Sequence, residues 1–180
     1  MMSLHQDNTV CIVIDIQERL NPVLADAETM VERSRILLQG LQAIGIPLLA
    51  TEQYPKGLGH TVPAIRLLLD GVPIFEKTLF SAFLPEIKEA LEKHHAENVI
   101  LIGAEAHVCM LQTALDMRSA GLNVYIPFEC TTSRAPANKA NALEQMQAAG
   151  VVVSNVESLL FQLLGNAKHP VFKTVSKLIQ

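Results

Sequence analysis

The chain has 180 residues, of which 49% are hydrophobic, enough to build the core of one domain. Its formal net charge of -4, with both signs interspersed, gives no electrostatic case for nucleic acid as a partner. No apolar run approaches the roughly 18 residues that cross a membrane, so we expect no membrane association. Three cysteines without a secretory signal argue against a disulfide scaffold and predict a cytoplasmic protein.

Apolar runs of strand length alternate with helical patterns, which is typical of βαβ units around a parallel sheet. Hydrophobic residues on both faces of the strand runs indicate that helices cover both faces of the sheet. In chain order, strands are predicted at residues 10–16, 46–51, 73–77, 99–102, 123–127 and 151–153. Helices are predicted at residues 30–44, 62–69 with Thr61 as the cap, 85–93, 108–120, 136–149 and 156–164, followed by a helical tail.

Reactive side chains stand at three of the predicted strand ends. Asp15 ends the first strand, Lys77 ends the third, and Cys109 lies where the fourth strand gives way to a helix. In open parallel sheets, ligands bind outside the carboxyl ends of the strands. A thiol in a first helical turn meets the positive end of the helix dipole, which favours the thiolate. If Asp15 and Lys77 share a cleft, the pair can hold or relay the thiol proton.

Each of these residues also has a purely structural interpretation that the pattern leaves open. Asp15 can bind backbone amides of the following loop, and Lys77 can be a solvated strand end. Cys11 and Cys130 are most simply buried small hydrophobes. Neither G-x-G-x-x-G nor G-x-x-x-x-G-K-[ST] is present, so the sequence does not predict a nucleotide cofactor.

Several segments resemble those of the isochorismatase-like cysteine hydrolases. They are Val-Ile-Asp-Ile-Gln around Asp15, the stretch 75–83 around Lys77, and Gly-Ala-Glu-Ala-His-Val-Cys-Met-Leu-Gln-Thr-Ala around Cys109. Further similarity at 51–59 and in the tail indicates the isochorismatase-domain-containing subgroup. The resemblance covers essentially the whole chain.

The resemblance implies a single domain over residues 1–180, with a C-terminal helical tail at 166–180. The implied fold is a three-layer αβα sandwich, whose six-stranded, mostly parallel sheet has the order 3-2-1-4-5-6. It also implies an Asp-Lys-Cys triad of Asp15, Lys77 and Cys109. A non-proline cis peptide near Ala104–Glu105 would turn the Glu105 amide toward the Cys109 amide, forming an oxyanion hole. Residues 52–60 lack the Asp-x-His set of metal-binding nicotinamidases, so no metal is expected.

These features predict a metal-independent cysteine hydrolase that cleaves a C–N bond of a small amide-like substrate through a covalent thioester. Gln17, Tyr54, Phe80 and Phe83 are weaker candidates for the pocket wall. A non-catalytic scaffold that binds a partner is the alternative, and redox sensing by Cys109 with Cys130 is a third hypothesis. Family precedent and the apolar tail also predict a homo-oligomer.

Overall fold

The computed structural model describes residues 4–180, which form a parallel sheet with helices on both faces. The sheet has the strand order β3-β2-β1-β4-β5-β7, and the short β6 pairs with β4 outside this path. Every strand pair is parallel. The strands are β1 Thr9–Ile14, β2 Leu48–Gln53, β3 Ile74–Lys77, β4 Asn98–Ala104, β5 Asn123–Pro127, β6 Thr131–Thr132 and β7 Val152–Ser154.

Two hydrophobic clusters, one on each face of the sheet, make this a three-layer α/β fold. The α-helices are α1 Ala27–Ile44, α2 Pro55–Leu58, α3 Pro63–Arg66, α4 Pro85–Lys93, α5 Leu111–Ser119, α6 Pro136–Ala148, α7 Val156–Leu164 and α8 Phe172–Leu178. Helices α1, α3, α7 and α8 cover one face, and α4, α5 and α6 cover the other. None of the helices in this part of the chain has both the length and the apolarity to cross a membrane.

The predicted fold class and strand order are confirmed, because β7 is the sixth full strand and the two-residue β6 is the addition. The tail packs on its own domain, with Val175 of α8 fully buried in the layer that contains α1. Some local predictions are wrong. Strand β1 ends at Ile14 rather than at residue 16, and β2 continues to Gln53, beyond the predicted end at Thr51. Val62 rather than Thr61 precedes α3, and α5 begins at Leu111 rather than at residue 108.

Strands β1 and β4 approach closely at their carboxyl ends, where Ile14 pairs with Gly103. Gly103 has φ 130°, and a Cβ built there would lie 1.9 Å from the Ile14 carbonyl oxygen. Glycine is therefore required by both conformation and space. This contact brings the residue after Ile14 beside the segment that follows β4, which is where the predicted acid and thiol lie.

Candidate active site

Asp15 begins the site immediately after β1. Its backbone turns into the left-handed region with φ 53°, and its side chain is fully buried. A buried carboxylate is costly unless it is paired and hydrogen-bonded. Here Thr51 donates its hydroxyl to Oδ1 at 2.8 Å, and the Lys77 ammonium lies 2.7 Å from Oδ2. Both oxygens of the acid are therefore satisfied inside the protein.

Lys77 is the last residue of β3 and pairs in register with Gln53 of β2. Its side chain is completely buried. Besides Asp15, Nζ contacts Gln53 Oε1 at 2.7 Å and the carbonyl oxygens of Leu79 and Phe80 at 3.1 and 3.0 Å. Four oxygens thus surround the ammonium, which compensates for its removal from water.

Cys109 lies in a π-helical turn, Ala106–Met110, that joins β4 to α5. The Glu105 carbonyl accepts the amides of Val108 and Met110, which shapes this turn. The preceding Ala104–Glu105 peptide is cis. Asp15 and Lys77 both act on the thiol of Cys109, the first raising its pKa and the second lowering it, so acid, amine and thiol lie close together.

The surroundings of the thiol oppose the thiolate, contrary to the prediction from the helix dipole. Burial and the negative charge of Asp15 raise the pKa of Cys109 to about 12, and the positive charge of Lys77 only partly opposes them. The local prediction was wrong because these two influences come from distant parts of the chain.

The four candidates for the pocket wall differ in exposure and in the groups they contact. Gln17 is fully buried and bridges backbone groups of Gln53 and Gly59. Tyr54 is half exposed, and its ring lies over Gly57. Phe80 is also half exposed, and its carbonyl holds Lys77, whereas Phe83 packs toward α4 under the Lys88 ammonium. Substrate contact by any of them stays a prediction.

The other two cysteines lie away from the site. Cys11 and Cys130 are fully buried in the cluster on the α1 side of the sheet, whereas Cys109 belongs to the opposite cluster. The sheet therefore separates Cys109 from Cys130, which does not support their pairing in a redox sensor.

Glu52 organises a second polar cluster, on the face of β2 opposite the site. Its carboxylate accepts the Thr61 amide and hydroxyl at 2.7 and 2.8 Å, and contacts His60 at 3.0 Å and Arg66 at 3.3 Å. Burial alone would raise the pKa of Glu52, but the bonds from His60 and Thr61 outweigh it and lower the pKa. Among residues 4–180, no group of three or more His, Cys, Asp or Glu side chains is arranged to hold a metal ion.

Fold and site together define a three-layer α/β protein with a buried acid–amine–thiol cluster at its strand ends. The chain belongs to the isochorismatase family, since the Isochorismatase domain model matches residues 9–158. The family predicted from the sequence motifs is thereby confirmed.

Named relatives agree with this assignment. The chain is 40% identical over 173 residues to isochorismatase domain-containing protein 1 of Salmo salar, covering 96% of this chain and 61% of that protein. It therefore spans about three fifths of that relative's length. It is 34% identical to isochorismatase domain-containing protein 2 of Xenopus laevis, covering 98% and 85% of the two chains. A solved structure described as MAR1 ribonuclease from Caenorhabditis elegans has a TM-score of 0.95 and 39% identity, covering 99% and 92%.

Sequence reasoning missed three residues that support the site. Thr51 and Gln53 hold Asp15 and Lys77, and Thr113 accepts the Ala82 amide while donating to the Cys109 carbonyl. Thr51 and Gln53 could have been found from their separation by two positions, which places both side chains on one face of a strand. For Thr113, the signal was its position four residues after Cys109 on a helix.

Proposed function

We propose that the protein is a metal-independent cysteine hydrolase that cleaves a C–N bond of a small amide-like substrate. The observation that carries this proposal is the buried contact of 2.7 Å between Lys77 Nζ and Asp15 Oδ2, with the Cys109 thiol in reach of both. A proton acceptor and a fixed positive charge beside a thiol are the parts that nucleophilic catalysis needs.

The proposed reaction has two halves. Asp15 accepts the thiol proton as Cys109 sulfur attacks the substrate carbonyl carbon, and Lys77 balances the negative charge. The amides of Glu105 and Cys109 stabilise the oxyanion of the tetrahedral intermediate. The C–N bond then breaks, and Asp15 returns the proton to the departing ammonia or amine. Water hydrolyses the resulting thioester, which releases the acid and restores the thiol.

A panel of small amides and ureides tests the proposal, with ammonia release as the readout. Cys109→Ala should lower turnover by about 10⁴-fold or more, the scale seen when a covalent nucleophile is removed. Cys130→Ala is the matched control, because it changes a buried cysteine on the other face of the sheet. Turnover should survive dialysis against a chelator. Turnover that persists in Cys109→Ala, or that needs added metal, would refute the proposal.

Partner binding is the second candidate function, favoured by exposed apolar side chains. Leu67, Leu79 and Phe80 are 80%, 65% and 53% exposed. Such side chains favour contact with another protein chain, and the homo-oligomer stays a prediction that light scattering on the purified protein can test. A scaffold role predicts that Cys109→Ala leaves partner binding and its cellular effect unchanged.

Ribonuclease activity is a rival because the similar Caenorhabditis elegans structure carries that description. The net charge of -4 opposes accumulation of RNA at the surface. We expect no cleavage of single-stranded RNA by the wild-type protein. If the wild-type protein cleaves RNA and Cys109→Ala does not, the substrate is RNA rather than a small amide. The cytoplasmic location likewise stays a proposal, which microscopy of a tagged chain can test.

A further inference from the structure

Strand β2 carries two polar side chains on the face of the sheet that holds the site. Thr51 donates to Asp15 at 2.8 Å, and Gln53, two residues on, accepts from Lys77 at 2.7 Å. Glu52 between them points to the other face, where it binds Thr61. The period of two in a strand therefore assigns one supporting residue to the acid and one to the amine.

The orientation of the Gln53 amide is fixed by its partners. Its Nε2 donates to the Thr78 carbonyl at 3.0 Å while Oε1 faces the Lys77 ammonium. A flipped amide would place N–H against ammonium and one carbonyl against another, which is repulsive at both ends. The backbone is held as well, because the buried Gln17 amide binds the Gln53 N–H at 2.8 Å and its carbonyl at 3.0 Å.

The charge balance of the site depends on Gln53 being neutral. Of the four oxygens around Lys77, only that of Asp15 carries a formal charge. We infer that Gln53 is a positioning residue, whose neutral amide holds the Lys77 ammonium toward Asp15 without placing a second negative charge beside the Cys109 thiol. A role for Gln53 in catalysis rests on the proposed function, but the effect of Gln53 on the Cys109 thiol does not.

Alkylation of Cys109 by iodoacetamide tests the inference without any substrate. The rate is followed across the pH range by mass spectrometry of the Cys109 peptide, in the full chain. Gln53→Glu keeps the shape of the side chain and adds a charge. It should slow alkylation at neutral pH by about tenfold or more, because each unit by which the thiol pKa rises removes tenfold of the thiolate. Gln42→Glu is the control, because Gln42 is exposed on α1, on the other face of the sheet. In this variant Cys109 should alkylate at the wild-type rate.

A role confined to packing predicts a different result, in which Gln53→Glu lowers the midpoint of thermal unfolding and leaves the alkylation profile unchanged. An alkylation rate within twofold of wild type would therefore overturn the inference. If Gln53→Glu does not fold, Gln53→Met replaces it, because methionine has similar length and no amide. Gln53→Met should change the alkylation rate at least threefold, and an unchanged rate would again overturn the inference. Turnover that does not depend on Cys109 would refute the proposed hydrolase activity. It would not affect the inference about Gln53, which the alkylation rates test separately.

Discussion

Thr113 ties the turn that carries Cys109 to the loop that follows β3. Its hydroxyl donates to the Cys109 carbonyl at 2.6 Å and accepts the Ala82 amide at 2.8 Å. Leu79 and Phe80, whose carbonyls hold Lys77, belong to the same loop. One buried hydroxyl therefore joins the backbone around the thiol to the backbone around the amine.

Replacing Thr113 by valine should destabilise the protein by about 1–3 kcal/mol, because the Ala82 amide is left buried without an acceptor. Valine preserves the shape of the side chain, so the loss reports the hydrogen bonds. Urea unfolding measures it. Ser119→Ala on the same helix is the control, since that hydroxyl is exposed, and its cost should stay within about 0.5 kcal/mol. Equal costs for the two variants would contradict the bridging role.

Asp15→Asn should affect two properties of Cys109 in opposite directions. The negative charge of Asp15 raises the pKa of the thiol, so its removal should lower that pKa and speed alkylation, by tenfold for each unit. Turnover should collapse, because the proton acceptor is gone. Asp116→Asn, an exposed change on α5, should alter neither rate. Slower alkylation in Asp15→Asn would show that its charge does not restrain the thiol.

Cys109 should react with iodoacetamide before the other two cysteines. It is 7% exposed, whereas Cys11 and Cys130 are 0% exposed. Reagent must reach sulfur for alkylation, so the latter two should label only when the protein opens. Peptide mass spectrometry over a time course measures the order. In denaturant all three should label at similar rates, and similar rates in the folded protein would count against this prediction.

The free energy of unfolding should fall at alkaline pH because of Cys130. Burial is the main reason why the pKa of Cys130 rises from 9.0 to about 12. The unfolded state releases this proton first, so the stabilisation is complete below about pH 9 and is lost as pH rises toward 12. The slope should be about 1.4 kcal/mol per pH unit for this group. Cys130→Ala should show a shallower slope in urea titrations, and an identical slope would exclude this contribution.

Glu52 should stabilise the protein at neutral pH and cease to do so in acid. Its pKa is lowered from 4.5 in the folded state, so its contribution is present above that pH and is lost as pH falls through the folded value. Glu52→Gln should therefore be less stable than wild type at neutral pH, and the difference should shrink in acid. Glu76→Gln on the exposed strand surface is the control. A difference that is constant with pH would point to packing rather than charge.

Much of the fold follows from signals local to each element. The ends of α4 and α7 agree with the prediction because Pro85 begins one helix and Gly165 follows the other. Strand β5 also has its predicted bounds. The two-residue β6 was missed because Thr131–Thr132 carries no periodic pattern, and only its pairing with β4 defines it.

The site was predictable only in part. The sequence pattern places Asp15 and Lys77 at strand ends and Cys109 at the start of a helix after a strand, and parallel strands bring such positions to one edge of the sheet. The protonation of Cys109 was not predictable, because it depends on burial and on a charge from another strand. Gln53 was missed because the predicted strand ended at Thr51. With that end, the pattern does not show that Thr51 and Gln53 lie on one face of the same strand.

Successive side chains of β2 point to opposite faces of the sheet, and this alternation limits where the chain can gain or lose a residue. Inserting one residue before Thr51 would shift the residues that follow by one position, so that Glu52 would face the amine and Gln53 would face the opposite side of the sheet. Inserting a residue within 55–58 would lengthen the segment between Gln53 and Gly59, both of which Gln17 binds, without rotating the side chains of β2. Homologous chains should therefore vary in length after this strand and keep its interior ungapped.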